Sequence, residues 1–295
     1  MKNTDKRAST TDCRSALYMP ASNQRALQKG PNLAADAIIL DLEDSVGPDQ
    51  KELARKQAIT VLSESDYGYR IRGLRVNPAD TQWHTDDILT VLSARPDVIV
   101  LPKVETAQDV RKVREQLSQH SGFDDVEIWA MIESPRAILN AADIASCSDV
   151  GLSALLIGNN DMARASNMPV TSDRTYLVPW LMQLVAVAHA NSLALLDGVY
   201  NNFKDAQGFQ SECEQAVAMG MTGKTLIHPT QVPIANKAFS PADVDIVEAQ
   251  AIVDAFAQPE NAAAGVLQIN GRMIERLHLA MAMQLLARVE RLNHR

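Results

Sequence analysis

Acidic side chains recur in this chain just after short apolar runs, and that placement is where chemistry can be read first. Ala37 to Leu42 (AIILDL) contains Asp41 and leads to Glu43 and Asp44, while Val98 to Leu101 (VIVL) leads to Lys103 and Glu105. Glu127 to Ile132 (EIWAMI) leads to Glu133, Leu152 to Ile157 (LSALLI) to Asn159, Asn160 and Asp161, and Leu193 to Leu196 (LALL) to Asp197. Gly73 to Val76 (GLRV) differs in carrying Arg75 inside the run and ending at Asn77. Carboxylates gathered at one mouth would repel each other unless a cation sat among them. Hard oxygen donors suit Mg²⁺, which is usually held by one or two carboxylates while waters and substrate oxygens complete its shell. Glu133 and Asp161, on adjacent runs, would suffice. Zinc fits poorly, because His84, His120, His189, His228, His278 and His294 show no H-x-x-x-H spacing.

A plainer reading stands beside each of these. Asp and Asn follow strands because they cap the next helix. Glu133 resists that reading, since Ser134 is the more natural cap and Pro135 the natural first helical residue. Arg75 in an apolar run needs a carboxylate partner, and a structural ion pair with Glu43 or Asp44 would provide one. Lys103 and Lys224 also end runs and could form a Schiff base, but nearby carboxylates raise a lysine pKa, the wrong direction for that chemistry. No G-x-S-x-G nucleophile elbow is present, which disfavours covalent acyl catalysis.

The elements that must position these residues follow a two-beat rhythm of apolar run and helical stretch. With the weaker runs Ser15 to Met19 and Lys224 to Ile227, the apolar runs total eight. They are continuous rather than alternating, as in parallel strands covered on both faces. Asp49 to Glu52 reads as a capping box opening a helix through Leu53, Ala54, Ala58, Val61 and Leu62, and Thr106 with Asp109 opens another in the same way. Eight strands with intervening helices predict an α/β fold, a (β/α)₈ TIM barrel over residues 13–240, with its active site at the C-terminal ends of the strands. A doubly wound sheet is the alternative, but G-x-G-x-x-G and P-loop motifs are missing. Residues 241–295 read as a C-terminal helical extension: a helix around Ala242 to Ala257, a small-residue linker from Pro259 to Gly265, and a last helix with Ile274, Leu277, Met281 and Leu285 on one face. That stripe is expected to cover the chain's own barrel or a neighbouring subunit. Residues 1–12 are polar and read as a flexible leader.

Composition sets the limits. The chain has 295 residues, 46% hydrophobic and 22% charged, and a formal charge of -8, so disorder is excluded and no cationic excess exists for nucleic-acid binding. No apolar stretch is long enough for a membrane helix. Three widely spaced cysteines without C-x-x-C fit a reducing, cytoplasmic setting.

Eight segments in order carry a specific resemblance: RSALYMPAS (Arg14 to Ser22), AADAIILDLEDSV (Ala34 to Val46), LRVNP (Leu74 to Pro78), VLPKVE (Val100 to Glu105), MIESPRAI (Met131 to Ile138), LIGNNDMA (Leu156 to Ala163), GKTLIHPTQV (Gly223 to Val232) and INGRMIE (Ile269 to Glu275). Together they resemble the HpcH/HpaI aldolase and citrate lyase β-subunit family. The resemblance implies a Mg²⁺-dependent barrel, with Glu133 and Asp161 as metal ligands and Arg75 as substrate-binding arginine. Glu43 and Asp44 match the family's acidic pair, which holds metal-bound waters and orients the arginine. It further implies Arg14 near the CoA and carboxylate end of the site, His228 and Gln231 near the mouth where CoA enters, and a trimeric or hexameric homo-oligomer. Glu275 stands where the family often has an Asp that reaches a neighbouring subunit's site, one methylene longer and without the following Pro. The implied activity is carbon–carbon cleavage of a 3-hydroxy-3-carboxy-acyl-CoA, with citramalyl-CoA, giving acetyl-CoA and pyruvate, as the favoured substrate. Alternatives are a malyl-CoA lyase, a citrate lyase β subunit acting on citryl bound to acyl-carrier protein, or a non-catalytic acyl-CoA-binding barrel.

Overall fold

A computed structural model of the chain describes residues 8–261 and 264–295. It divides into two compact units, one ending at Phe239 and the other spanning Ser240–Arg295.

In the first unit, eight parallel strands close into a barrel in sequence order: β1 (Ser15–Pro20), β2 (Ala37–Asp41), β3 (Ile71–Arg75), β4 (Val98–Leu101), β5 (Glu127–Ile132), β6 (Leu152–Ile157), β7 (Ala194–Asp197) and β8 (Gly223–Leu226), with β8 pairing back to β1. This is a (β/α)₈ barrel. Alternate side chains fill its interior, among them Ala16, Ile39, Val100, Trp129, Leu156 and Leu196, while the others pack outward against the helices. Both sets are apolar, so the strands read as unbroken runs. Thr106 and Asp109 form the expected capping box of the helix Ala107–Ser118. Asp49 does not cap its helix: Pro48 starts a 3₁₀ turn over Pro48–Gln50, and the α-helix Lys51–Glu64 continues from it.

Residues 1–7 of the expected leader lie outside the described residues. Residues 8–12 are instead part of the barrel. Ala8 N donates to Tyr69 O, and Thr10–Asp12 form a 3₁₀ turn with Thr10 and Asp12 buried. Thr10 Oγ1 donates to Glu127 Oε2 at 2.5 Å and accepts from the buried Trp129 Nε1 at 3.3 Å, which ties this segment to the start of β5.

The second unit contains the helix Asp243–Ala257, an antiparallel hairpin of β9 (Val266–Ile269) and β10 (Arg272–Glu275), and the helix Arg276–Asn293. Ala249, Ile252, Phe256, Ile274 and Ala282 form its small core. Ile274, expected on the last helix, lies in β10. Asn270 and Gly271, both at positive φ, make the two-residue turn that hairpins favour. Leu277 and Met281 of the expected stripe are 66% and 59% exposed. Ala262 and Ala263 of the expected linker lie outside the described residues. Among the described residues no helix is long and apolar enough to cross a membrane.

Candidate active site

Parallel register decides the first contact at the mouth. Asp41 and Arg75 are register partners at the ends of β2 and β3. The guanidinium grips Asp41 through two bonds, Nε to Oδ1 at 2.7 Å and Nη2 to Oδ2 at 2.6 Å. Nη1 lies 2.9 Å from Glu43 Oε2 and 3.8 Å from Asp44 Oδ2. The expected ion pair with Glu43 is present, but the bidentate partner is Asp41, which the sequence left as one more carboxylate in a row. Asp41 also accepts from the backbone N–H groups of Glu43 and Ser45 and from Ser45 Oγ. These bonds and Arg75 hold its pKa below the usual carboxylate range despite burial.

The turn after β2 is fixed from its outer side. Lys51 Nζ donates to the carbonyls of Leu42 and Glu43 and to Asn77 Oδ1, and Asn77 in turn donates to Asp87. Glu43 is thereby held with its carboxylate buried, and neither oxygen has a hydrogen bond. Besides Arg75, Lys103 Nζ lies 3.6 Å from Glu43 Oε1. Burial, reinforced by Asp44, Glu133 and Asp41 against the pull of Arg75, pushes Glu43 up to about 8.

Glu133, just past β5, is buried. Ser134 caps the helix Pro135–Leu139 through Ala137 N, as expected, so Glu133 is not needed as a cap. Its Oε1 accepts from Lys103 N at 2.6 Å, and Lys103 takes the left-handed backbone (φ 51°) as it makes this bond. Across from it stands Gly158, where a Cβ would overlap Glu133 Cβ and lie 2.5 Å from Oε2. Only glycine leaves room for this carboxylate. Burial raises Glu133 to about 7, opposed by the Lys103 N–H and Arg75 and reinforced by Asp161 and Asp44. Asp161 lies in the first turn of the helix Asn159–Ser166, partly exposed, and pairs with the exposed Arg164.

The structure therefore brings Arg75, Glu43, Asp44, Glu133 and Asp161 into one electrostatically coupled group at the C-terminal ends of β2 to β6. Two buried carboxylates with raised pKa and one without hydrogen bonds are the state expected of a hard-cation site, and the donors, all oxygen, fit Mg²⁺. Among the described residues no three metal-type side chains stand close enough together to hold one ion, and Glu133 and Asp161 are the pair that would hold it, with waters and substrate oxygens completing the shell.

Other expected residues fall elsewhere. Arg14 precedes β1 and forms a bidentate pair with Asp36, which precedes β2, at 2.8 and 2.9 Å. It therefore sits at the N-terminal end of the barrel, away from the mouth, because a basic residue before a strand cannot reach past its far end. Gln231 is buried and engaged at both ends of its amide: Oε1 accepts from Ile227 and His228 N–H, and Nε2 donates to Tyr200 O. It shapes the turn after β8 rather than offering itself to a ligand. His228 is partly exposed and stacks on Phe203 with ring centroids 4.5 Å apart. Glu275 stands at the N-cap of the helix Arg276–Asn293, and its backbone N–H donates to His278 Nδ1 at 3.0 Å. Sequence reasoning did not single out Tyr18, whose ring lies under the Arg75 guanidinium at 4.7 Å, or Gly158. An arginine inside an apolar run could have pointed to an aromatic neighbour as well as a carboxylate.

The model of the HpcH/HpaI aldolase/citrate lyase family matches residues 14–229. The chain belongs to this family. It is thus a carbon–carbon lyase by class, of the type that acts on CoA esters. Within the family it is 43% identical to a protein named (3S)-malyl-CoA thioesterase from Cereibacter sphaeroides, covering 94% of each chain. It is 31% identical to an L-malyl-CoA/beta-methylmalyl-CoA lyase from Rhodobacter capsulatus, covering 89% of this chain and 90% of that one. CitE from Mycobacterium tuberculosis, solved in complex with magnesium and acetate, superposes with a TM-score of 0.65 at 26% identity, over 78% of this chain and 91% of that one.

Proposed function

We propose that this family member is a Mg²⁺-dependent enzyme acting on a 3-hydroxy-3-carboxy-acyl-CoA, with (3S)-malyl-CoA as the first substrate. The observation that carries the reading is the Glu133 carboxylate, buried beside Gly158 and near Asp161, Glu43 and Arg75 with too few cations to balance it. Glu133 and Asp161 would hold the ion, which when bound supplies Lewis-acid polarisation of substrate oxygens. The magnesium in the CitE complex supports that assignment. Malyl-CoA takes precedence over citramalyl-CoA because of the names of the relatives at 43% and 31% identity; nothing in the site favours a methyl substituent.

The residues then have distinct tasks. Arg75, fixed by Asp41, sets a positive edge against which the substrate's carboxylate and carbinol oxygen can settle. Glu43 and Asp44, held by the Lys51 clamp, orient that edge. Lys103 contributes its backbone N–H to aim Glu133, and its half-exposed ammonium, 3.6 Å from Glu43, can also meet an anionic substrate. Glu275, if it reaches a neighbouring copy, is the acid on the thioester side. His228 marks the β8 side of the mouth, where the CoA chain is expected to enter.

Hydrolysis of the thioester is the second reading, favoured by the name of the 43% relative. One experiment separates the two. With (3S)-malyl-CoA and Mg²⁺, lyase action yields acetyl-CoA and glyoxylate, whereas hydrolysis yields malate and free CoA. Neither set of products, with malyl-CoA or citramalyl-CoA, or turnover indifferent to EDTA, would reject the proposal. A CoA ester that binds tightly and is never cleaved would instead point to a non-catalytic barrel, and activity only with citryl on a carrier protein to a citrate lyase subunit.

A further inference from the structure

Tyr18 lies near the end of β1, opposite Ile39 of β2, with its side chain packed against the residues that fill the barrel. One face of its ring is covered by the Arg75 guanidinium at 4.7 Å. The edge of that guanidinium is held by Asp41 and Glu43, so the stack is fixed by two carboxylates it does not itself touch. A partly buried phenol ordinarily finds an oxygen acceptor. Here the hydroxyl's partner is Met131 Sδ at 3.7 Å, and a thioether is a weak acceptor. Glu133 and Glu43 are close enough to act on the phenol electrostatically, yet it bonds to neither. An O–H donor whose hydrogen-bond partner is a thioether thus stands against Arg75, the residue proposed to meet the substrate.

We infer that the Tyr18 hydroxyl is a substrate-binding donor, which with Arg75 recognises an oxygen of a small 2-hydroxy- or 2-oxo-acid moiety. The inference rests on the proposed reading that such a moiety occupies this mouth. The phenol supplies an uncharged, directional bond beside the Arg75 guanidinium. It therefore selects for an acid with oxygen on the carbon next to the carboxylate over one with hydrogen there. Met131 gives up a weak contact when the ligand enters, so the exchange costs little.

The test uses the full chain with Mg²⁺ and oxalate, a dianion that presents adjacent carboxylate oxygens, followed by calorimetry. Removing a neutral donor from a charged acceptor weakens binding about tenfold or more. Tyr18→Phe keeps the ring under Arg75, and it should weaken oxalate by that factor while leaving Mg²⁺ affinity and the melting temperature close to wild type. Acetate, which lacks the second oxygen-bearing carbon, should bind both proteins alike. Equal oxalate affinity in the two proteins would overturn the role of Tyr18, and so would a parallel loss of Mg²⁺ affinity, which would make the residue structural. Failure of wild type to bind oxalate at all, with Mg²⁺ bound, would overturn the reading of the mouth itself and this inference with it.

Discussion

At the scale of single residues, the site depends as much on a missing side chain as on those present. Glu133 can lie buried with its Oε1 on the Lys103 N–H because Gly158, across from it, has no Cβ. In Gly158→Ala the added methyl must displace the carboxylate, since Glu133 Cβ belongs to backbone-anchored atoms that cannot swing away. The expected outcome is loss of Mg²⁺ affinity and at least a hundredfold loss of activity, of the order that misplacing a catalytic group by an ångström can cost. Isothermal titration with Mg²⁺ and a steady-state assay check it, and wild-type affinity in the variant would contradict the assignment of Glu133. Arg75 shows how far such detail is legible in sequence. That it needs a carboxylate follows from its apolar surroundings, and of the two expected partners Glu43 lies at 2.9 Å and Asp44 at 3.8 Å. That Asp41 is the bidentate partner follows from strand register, a property of two segments together, and neither segment shows it alone.

At the scale of elements, the eight strands were legible because both faces of each are covered, which leaves unbroken apolar runs. The hairpin was not. Asn270-Gly271 is a strong turn signal, but Ile274, Leu277 and Met281 continue at helical spacing, and that periodicity absorbed β10 into the following helix. Arg14 differs from expectation for a related reason: a motif shows that residues travel together but not which end of a strand they occupy, whereas Gln231 does follow β8 and differs only in spending its amide on the turn. Residues 1–12 read as a leader because they are polar, yet in residues 8–12 the polar groups meet polar groups at the start of β5. Thr10 serves both Glu127 and Trp129. Thr10→Val keeps the shape but strands the Trp129 N–H and one bond to Glu127, a cost of about 1–3 kcal/mol. Urea unfolding should show that loss with an unchanged slope. A midpoint equal to wild type would mean the segment merely rests on the barrel.

At the scale of the whole molecule, assembly and pH act on the same buried carboxylates. If Glu275 completes the site of a neighbouring copy, Glu133→Gln and Glu275→Gln variants, each weakly active alone, should regain activity when unfolded together and refolded as a mixture. No recovery would leave Glu275 as the helix cap it is seen to be. The pH profile follows from charges of opposite tendency buried in one barrel. Asp197 is fully buried between Arg174 and Lys224, and Lys224 also meets Glu212 at 2.6 Å. Those cations hold Asp197 below the usual carboxylate range, as Arg75 holds Asp41. Below about pH 3.9 the unfolded chain takes up protons that these two groups refuse in the fold, so their stabilisation is complete above that value and is lost as the pH falls toward the folded values. Glu133 and Glu43, raised to about 7 and about 8, work the other way. The metal-free fold keeps protons that the unfolded chain releases near pH 4.3, so stability declines as the pH climbs from there through 7 and 8. Metal-free protein should accordingly be most stable at about pH 4, where the two limbs meet, with stability falling on each side in a series of urea titrations. Asp197→Asn should flatten the acid limb, because its side chain no longer distinguishes the two states by proton uptake. Mg²⁺ should flatten the alkaline one, because a bound cation stabilises the ionised carboxylates. An alkaline limb that persists at saturating Mg²⁺ would show that the ion is held elsewhere than at Glu133, and that outcome bears on the proposed chemistry as directly as any assay.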